Sequence, residues 1–377
     1  MSFVTGSGLT RYGRHDGLGT LDLMSEAATL ALADAGLERG DVDGLLCGYS
    51  TTLPHIMLAT VFAEHFGLSP KYAHAIQVGG ATGFALVMLA HLLVGAGAAK
   101  RILVVGGENR MTGQSRDSAI QVLAQTGHPV YEVPLGPTIP AYYGLVASRY
   151  MHEHGNTEAD FAELAVLMRR HAAGHPGAQF RTPITVDEVL ASRPIATPLK
   201  VLDCCPVSDG ACAVVVSAAA EGPHPVRITG SAQSHTAQHV SAAPDLASFG
   251  AGACAARALA EAGRGLADIG YAAIYDSFTI TLTMLLEEIG LAPRGQAGVS
   301  AREGRFSHDG PVPLNLHGGL LSYGHCGVAG AMAHLAETHL QLTGRAGTRQ
   351  AWRRGVALLH GDGGVLSSHV SLVMEAA

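Results

Sequence analysis

Residues 1–110 alternate between helix-like and strand-like patterns of hydrophobic and polar positions. Leu21–Ala35 repeats apolar residues at helical spacing, and Gly36 stands where such a helix would end. Three further apolar stretches predict strands, at Val42–Cys47, Tyr72–Val78 and Arg101–Val105, and a fourth, Gly83–Val94, predicts a helix. This order predicts an α/β fold whose parallel or mixed sheet is covered by helices on both faces.

The same rhythm starts again after Glu221–Pro225, which we interpret as a linker because it contains glycine and two prolines. After this linker, strands are predicted at Val226–Ser231, Tyr271–Tyr275, Val356–Leu359 and Ser368–Met374. Helices are predicted at Ala251–Ala262 and in two segments that end at Leu291 and at Leu342. We therefore predict two similar halves, residues 1–220 and 226–377. Between about 111 and 200 prolines interrupt the pattern, which indicates an insertion in the first half that could carry substrate-shaping loops.

The composition excludes several classes of protein. The net charge is −7 and no basic stripe is interleaved with aromatic residues, so we expect no nucleic-acid binding. The N-terminus lacks a basic-then-apolar pattern and the apolar stretches are short, so we expect neither a signal peptide nor a membrane span. The six cysteines form no CxxC pair, which favours free thiols in a reducing cytoplasm. Histidine pairs at helical spacing lack a neighbouring HExxH glutamate, and no metal site is predicted.

Four segments of the chain have recognisable motifs, and they read GGENRM at 106–111, CPVSDGACA at 205–213, YDSF at 275–278 and NLHGG…GHCGVAGA at 315–331. These segments resemble the thiolase superfamily, specifically its lipid-transfer-protein (sterol-carrier-type) branch. In order, they are similar to that family's GGxExM, CPxxDGAxA, NEAF-like and NxxGG…GHPxGxSGA motifs. The resemblance covers almost the whole chain. It implies a thiolase-like fold, in which two α/β halves with five-stranded sheets pack as αβαβα, and a homodimer. A small OB-fold partner with a zinc finger is also implied.

The departures from the family pattern concern its two cysteines. The segment that resembles the nucleophile motif reads QVGGATG at 77–83 and places Gly80 at the cysteine position. No cysteine lies between Cys47 and Cys204, so a small shift of the alignment does not restore it. His360 stands at or near the second cysteine, and Tyr275 replaces the asparagine of the NEAF-like motif. Glycine cannot attack a thioester, and we expect Gly80 to leave room for a bulky substrate carbon.

These replacements keep a site for an enolate and remove covalent acyl transfer. A base can instead take the proton of a β-hydroxyl, after which the Cα–Cβ bond breaks and a thioester enolate remains. The chain thus resembles thiolase-like aldolases that trim steroid side chains as CoA thioesters. The resemblance implies His325 as oxyanion donor. For the retro-aldol reaction we predict Tyr323 or Tyr275 as acid/base, and Asp276 and His360 as secondary proton-transfer groups. We predict that Gly80, Gly319 and Asn315 bind the substrate. No cofactor beyond the CoA of the substrate is predicted.

Several alternatives stay open at this point. A Schiff-base aldolase needs a desolvated lysine, and Lys71, Lys100 and Lys200 lie outside the four motifs. The chain could be an acetyl-CoA acetyltransferase-like enzyme with its nucleophile elsewhere, or a non-catalytic acyl-CoA-binding scaffold. Tyr275 and Tyr323 could be packing residues, and Asp276 could cap a helix at Thr279–Ile289. Candidate CoA contacts in the insertion are Arg169, Arg170 and Arg181.

Overall fold

The computed structural model describes residues 1–352 and 355–377. Its strands are β1 (Ser2–Leu9), β2 (Gly44–Gly48), β3 (Tyr72–Ile76), β4 (Arg101–Asn109), β5 (Pro194–Ala196), β6 (Leu199–Lys200), β7 (Asp209–Ser217), β8 (Val226–His235), β9 (Tyr271–Ile274), β10 (Val356–Gly363) and β11 (Ser368–Ala376). Its α-helices are α1 (Thr20–Ala35), α2 (Leu58–Phe66), α3 (Thr82–Gly95), α4 (Arg116–Ala124), α5 (Ile139–His154), α6 (Glu158–Ala173), α7 (Val186–Ala191), α8 (Ala251–Ala262), α9 (Thr279–Ile289), α10 (Ala297–Arg302), α11 (Gly319–Ser322) and α12 (Val328–Leu342).

The sheet repeats one strand order in the two halves of the chain. The first half contributes β3-β2-β4-β7-β1, and the second contributes β8-β11-β10-β9. An isolated parallel bridge between Ala272 of β9 and Leu314 stands where the second half would need its fifth strand. The expectation of five strands in each half is therefore wrong for the second half, where one strand is reduced to this bridge. Strands β1 and β8 pair antiparallel from Ser2↔Ile228 to Val4↔Val226 and join the two half-sheets.

Two buried helices form the layer between the half-sheets. Helices α3 and α12 pack against each other and against strands of both halves. Gly83 permits this contact, because a Cβ at that position would lie 2.6 Å from Cγ of Met332. Helix α1 packs on β1, β4 and β7, and α8 packs on β8 and β11. The result is the thiolase-like layering that the sequence predicted.

Strand β1 and helix α5 are among the elements that were not predicted from the pattern. Strand β1 contains Gly6 and Gly8, which interrupt its apolar alternation, and α5 lies in the proline-containing segment between β4 and β7. That segment contains α4 to α7, of which α5 and α6 pack against α9 in the second half. The insertion therefore lies over the second half and brings α5 close to it. Within the described part of the chain, no helix is long and apolar enough to cross a membrane.

Candidate active site

A cavity of about 260 Å³ lies where the C-terminal ends of β4, β9 and β10 meet the N-terminal ends of α3 and α12. Four of its lining residues come from four different segments: Gly80 before α3, Tyr275 after β9, His325 before α12 and Asp362 in β10. Each half contributes one helix N-terminus and strand ends to the same space. Helix N-termini carry partial positive charge, so the cavity favours a substrate that develops negative charge.

Tyr275 and His325 form a hydrogen-bonded pair in this cavity. The Tyr275 hydroxyl lies 3.3 Å from Nε2 of His325. Burial lowers the pKa of His325 to about 3, with the charge of Arg110 as a second cause, and burial raises the pKa of Tyr275 well above its usual value. Both side chains are therefore neutral at neutral pH, and the phenol can donate to an unprotonated Nε2. The pair can carry a proton from substrate to imidazole.

The place of the missing cysteine is filled by Tyr275. A Cβ at Gly80 would lie 2.3 Å from the Tyr275 hydroxyl oxygen and 2.5 Å from the backbone oxygen of Asp362. The expectation that Gly80 leaves room for a substrate carbon is thus corrected, because the protein's own phenol occupies that space. Glycine at position 80 and tyrosine at position 275 depend on each other sterically.

Asp362 and Tyr143 were missed by the sequence analysis. The Tyr143 hydroxyl donates to Oδ2 of Asp362 over 3.0 Å, and both residues line the cavity. Burial raises the pKa of Asp362 to about 8, against the hydrogen bond from Tyr143 that lowers it. Asp362 was visible as a charged residue just after the predicted strand Val356–Leu359, although nothing in that pattern indicated a role. Tyr143 lies in the unpredicted helix α5.

Glu108 and Arg110 also line the cavity from the end of β4. Oε2 of Glu108 accepts hydrogen bonds from the backbone N–H and the hydroxyl of Thr51, both at 2.5 Å, and so holds the loop beside the cavity. Among the described residues, Oε1 of Glu108 and Nε of Arg110 have no hydrogen-bond partner. Both lie in the GGENRM segment, so the motif could have indicated them. Arg110 supplies a positive charge to the cavity.

Three of the five predicted catalytic residues do not line the cavity, and two of these, Tyr323 and His360, have contacts elsewhere in the core. The Tyr323 hydroxyl donates to the backbone oxygen of Thr10 over 3.1 Å, and the ring packs edge-on against Tyr12. Both ring nitrogens of His360 are engaged, Nδ1 with the hydroxyl of Ser371 at 2.7 Å and Nε2 with Nδ1 of His369 at 3.1 Å. The structure thus does not bring Tyr323 or His360 to Tyr275 and His325, because their polar atoms are engaged elsewhere in the core.

Asp276 lies beneath the cavity and organises α11. Its carboxylate accepts the N–H groups of Leu320 at 2.7 Å and Leu321 at 3.3 Å, and it lies 3.4 Å from Nε2 of His334. The hypothesis that Asp276 caps the helix at Thr279–Ile289 is wrong, since the helix it caps is α11. Because α11 leads directly to residue 325, Asp276 positions the loop that carries His325.

The two remaining predicted substrate-binding residues have structural contacts instead. Asn315 accepts the N–H of Ile274 at 2.8 Å and donates to the Ile274 oxygen at 2.7 Å, which fixes the end of β9 before Tyr275. Gly319 has a φ of 60° and lies against the Asp276 carboxylate, where a Cβ would be 1.9 Å from Oδ2. Of the three predicted substrate contacts, only Gly80 lines the cavity.

A larger groove of about 920 Å³ adjoins the cavity. The two spaces share several lining residues from the loops around β2, α4 and β10: Tyr49, Thr51, Gly79, Leu123, Thr126 and Gly364. A long substrate can therefore extend from the cavity into the groove. Arg169 of the insertion, a predicted CoA contact, instead donates to the Ser322 hydroxyl at 3.1 Å.

Two family models match the chain. The model of the thiolase N-terminal domain matches residues 3–220, and the model of the thiolase C-terminal domain-like family matches residues 232–376. A fold of two similar α/β halves with a cavity at their junction agrees with both matches. The chain belongs to the thiolase superfamily, which confirms the resemblance seen in its motifs.

Several relatives are similar over nearly the full chain. The chain is 30% identical to an acetyl-CoA acetyltransferase of Methanothermobacter thermautotrophicus, over 97% of this chain and 98% of that one. It is 32% identical to a steroid side-chain-cleaving aldolase of Thermomonospora curvata, over 90% of this chain and 92% of that one. It is 33% identical to a 17-hydroxy-3-oxo-4-pregnene-20-carboxyl-CoA lyase of Mycobacterium tuberculosis, over 89% of this chain and 91% of that one.

The solved structure of the Ltp2-ChsH2(DUF35) aldolase has a similar fold. It superposes with a TM-score of 0.87 at 31% identity, covering 100% of this chain and 97% of that one. The sequence expectation of a thiolase-like fold is therefore confirmed over the whole length of the chain.

Proposed function

We propose that this protein is a carbon–carbon lyase that cleaves a β-hydroxyacyl-CoA by a retro-aldol reaction, with a steroid nucleus as the leaving part. The observation that carries the proposal is the Tyr275–His325 pair, which fills the place of the nucleophile in the cavity. The relatives named as a steroid side-chain-cleaving aldolase and a CoA lyase support it.

The mechanism needs only proton transfers and charge stabilisation. Tyr275 accepts the proton of the substrate's β-hydroxyl while its own phenol proton moves to Nε2 of His325. The Cα–Cβ bond then breaks and the β-carbon leaves as a ketone. The electron pair of the broken bond stays with the α-carbon and forms the thioester enolate. The imidazolium of His325, the guanidinium of Arg110 and the N-termini of α3 and α12 all place positive charge at the cavity where this enolate forms.

The thiols of the cavity do not favour acyl transfer. Cys204 and Cys205 line it, so an acyl-cysteine there is the main chemical alternative. Burial raises the pKa of Cys204 to about 12 and that of Cys205 further above its usual value. A thiol must ionise to attack a thioester, so both remain poor nucleophiles at neutral pH.

The proposal includes a partner subunit and a homodimer. The similarity to the Ltp2-ChsH2(DUF35) aldolase supports a small partner of the DUF35 type. The outer edge of β3 pairs with no other strand among the described residues, and Ile56 and Met57 are exposed, which supports a second copy at this edge. The six cysteines are free, which supports a cytoplasmic location.

The test uses 17-hydroxy-3-oxo-4-pregnene-20-carboxyl-CoA, a β-hydroxyacyl-CoA because its hydroxyl is on carbon 17 and its carboxyl thioester on carbon 20. The purified chain, with and without a DUF35-type partner, should release a 17-ketone and a shortened acyl-CoA without added CoA. Tyr275→Phe should lower this rate by about 100-fold or more. Tyr323→Phe is the matched control, because that tyrosine lies outside the cavity.

Three results would count against the proposal. A requirement for free CoA would indicate thiolysis. Loss of activity in Tyr323→Phe but not in Tyr275→Phe would overturn the assignment of the base. Absence of cleavage with and without the partner would favour the scaffold alternative or another substrate.

A further inference from the structure

Asp362 is a buried carboxyl that the steps above leave without a role. It is 1% exposed and lines the cavity. One oxygen, Oδ2, accepts the hydrogen bond of Tyr143, while Oδ1 has no hydrogen-bond partner among the described residues. The charge of Asp362 is also among the causes that raise the pKa of Tyr275, so the two side chains lie within electrostatic range of each other.

A structural carboxyl elsewhere in the same protein is satisfied differently. Glu287 is similarly buried, and its Oε1 accepts the N–H of Ala297 while its Oε2 accepts the N–H of Gly295 and the hydroxyl of Tyr150. Leaving a buried polar oxygen without a partner costs about 1–3 kcal/mol. The free oxygen of Asp362 is therefore better explained by a partner that enters the cavity than by support of the fold.

The environment of Asp362 also sets its charge. Burial raises its pKa to about 8, and the charge of Glu288 acts in the same direction, whereas the Tyr143 hydroxyl and the nearby backbone N–H groups of Gly363 and Leu366 act against it. At neutral pH the carboxyl therefore holds a proton that it can give away. The Tyr143 hydroxyl remains in place to stabilise the carboxylate that results.

We propose that Asp362 is the catalytic acid that protonates the α-carbon of the thioester enolate. The inference rests on the proposed lyase function. The enolate's electron pair forms the new Cα–H bond with the Asp362 proton, and Asp362 becomes a carboxylate. His325 holds the phenol proton that Tyr275 gave up when it took the β-hydroxyl proton, and this proton passes to the Asp362 carboxylate after the products leave. Over one turnover a proton moves from the β-oxygen to the α-carbon, and no oxidant or reductant is needed.

The test follows exchange at the α-carbon and does not require cleavage. Propanoyl-CoA is incubated with the protein in D2O, with the DUF35-type partner if cleavage requires it, and its deuterium content is measured by mass spectrometry. The wild-type protein should exchange the α-hydrogens as the pH rises through about 8, because the ionised Asp362 carboxylate then acts as the base in the reverse direction. Asp362→Asn should lower the exchange rate by about 100-fold or more. Because the native carboxyl is protonated, the isosteric amide should fold normally, which thermal unfolding checks.

A second variant tests the same group without removing it. Tyr143→Phe deletes the hydrogen bond that stabilises the carboxylate, so the midpoint of exchange against pH should move to higher pH. Tyr142→Phe is the matched control, because Tyr142 interacts with Glu132 rather than with Asp362, and its midpoint should not move. If Asp362→Asn does not fold, an unshifted midpoint in Tyr143→Phe overturns the proposal.

The outcomes separate this inference from the proposed function. Exchange at the wild-type rate in Asp362→Asn would overturn the role of Asp362. Cleavage by the wild-type protein without any exchange would overturn it as well. Exchange that is lost in Asp362→Asn, in a protein that does not cleave the hydroxyacyl-CoA, would support Asp362 as the α-carbon acid and count against the proposed substrate.

Discussion

Replacing Gly80 by alanine tests the steric dependence between this residue and Tyr275. The added Cβ would lie 2.3 Å from the hydroxyl oxygen and 2.6 Å from Cζ of Tyr275, and 2.5 Å from the Asp362 backbone oxygen. Ordinary contacts begin at 3.4 Å, so the tyrosine ring must retreat by about 1 Å. The strand backbone at Asp362 yields less easily than a side chain, and the hydroxyl would leave its position 3.3 Å from His325.

We expect Gly80→Ala to lose activity more than stability. Overpacking of a buried site costs about 1–3 kcal/mol, which a core of this size can absorb. A displacement of about 1 Å in a reacting group can lower the rate by about 100-fold. The assay is kcat/KM for cleavage of the hydroxyacyl-CoA, together with the free energy of unfolding from urea denaturation.

Two further variants make this prediction specific. Gly95→Ala is the matched control at the other end of α3, where an added Cβ meets nothing within 4 Å, and it should keep full activity. The double variant Gly80→Ala/Tyr275→Phe removes the closest clashing atom. Its loss of unfolding free energy should therefore be smaller than the sum of the losses in the two single variants. A fully active Gly80→Ala protein would refute the reasoning, because the phenol would then have another place to go.

Three further predictions concern stability and the support of the site. The free energy of unfolding, measured by urea denaturation, should fall as the pH is lowered from 6.5 to 5. Burial lowers the pKa of several histidines in the folded protein to about 3 or 4, so in this range only the unfolded chain takes up protons at these side chains. The histidines are His171, His175, His325, His339 and His369. Asp362 acts in the opposite direction, since its raised pKa makes the folded chain bind a proton as the pH falls below 8, and burial also raises the pKa of Asp203 and Asp276. The histidines outnumber these carboxyls, because burial lowers the pKa of His317 and His360 as well, so a rise in stability on acidification would contradict the expectation. Asp276→Ala should destabilise the protein by about 2–3 kcal/mol and lower kcat, because Leu320 and Leu321 lose their acceptor, and an unchanged kcat would exclude its positioning role. His360→Ala should lower the unfolding midpoint but leave kcat within a few-fold, since its contacts are Ser371 and His369, and a selective loss of kcat would restore the predicted proton-transfer role.

The extent of sequence prediction differed between the fold and the site. The helix at Leu21–Ala35 and the strand beginning at Arg101 are found close to their predicted positions, because burial imposes a periodicity that neighbouring residues reveal. His325 and Tyr275 were identified from their motifs and do meet in one cavity. Tyr323 was identified with the same reasoning and lies elsewhere, because a motif names a segment and not the direction of a side chain.

The sequence by itself determined the α/β class, the repeated order of strands and helices along the chain, the absence of a cysteine at position 80 and the segments that surround the cavity. Those properties depend on local periodicity and on residue identity, both of which are present in the linear chain. Only the tertiary structure decided that the Tyr275 hydroxyl fills the space beside Gly80, and that α5 brings Tyr143 to Asp362 over 219 positions of sequence. Contacts of that kind depend on how helices and strands pack across the two halves, and atoms a few ångströms apart in space leave no periodic trace in the sequence.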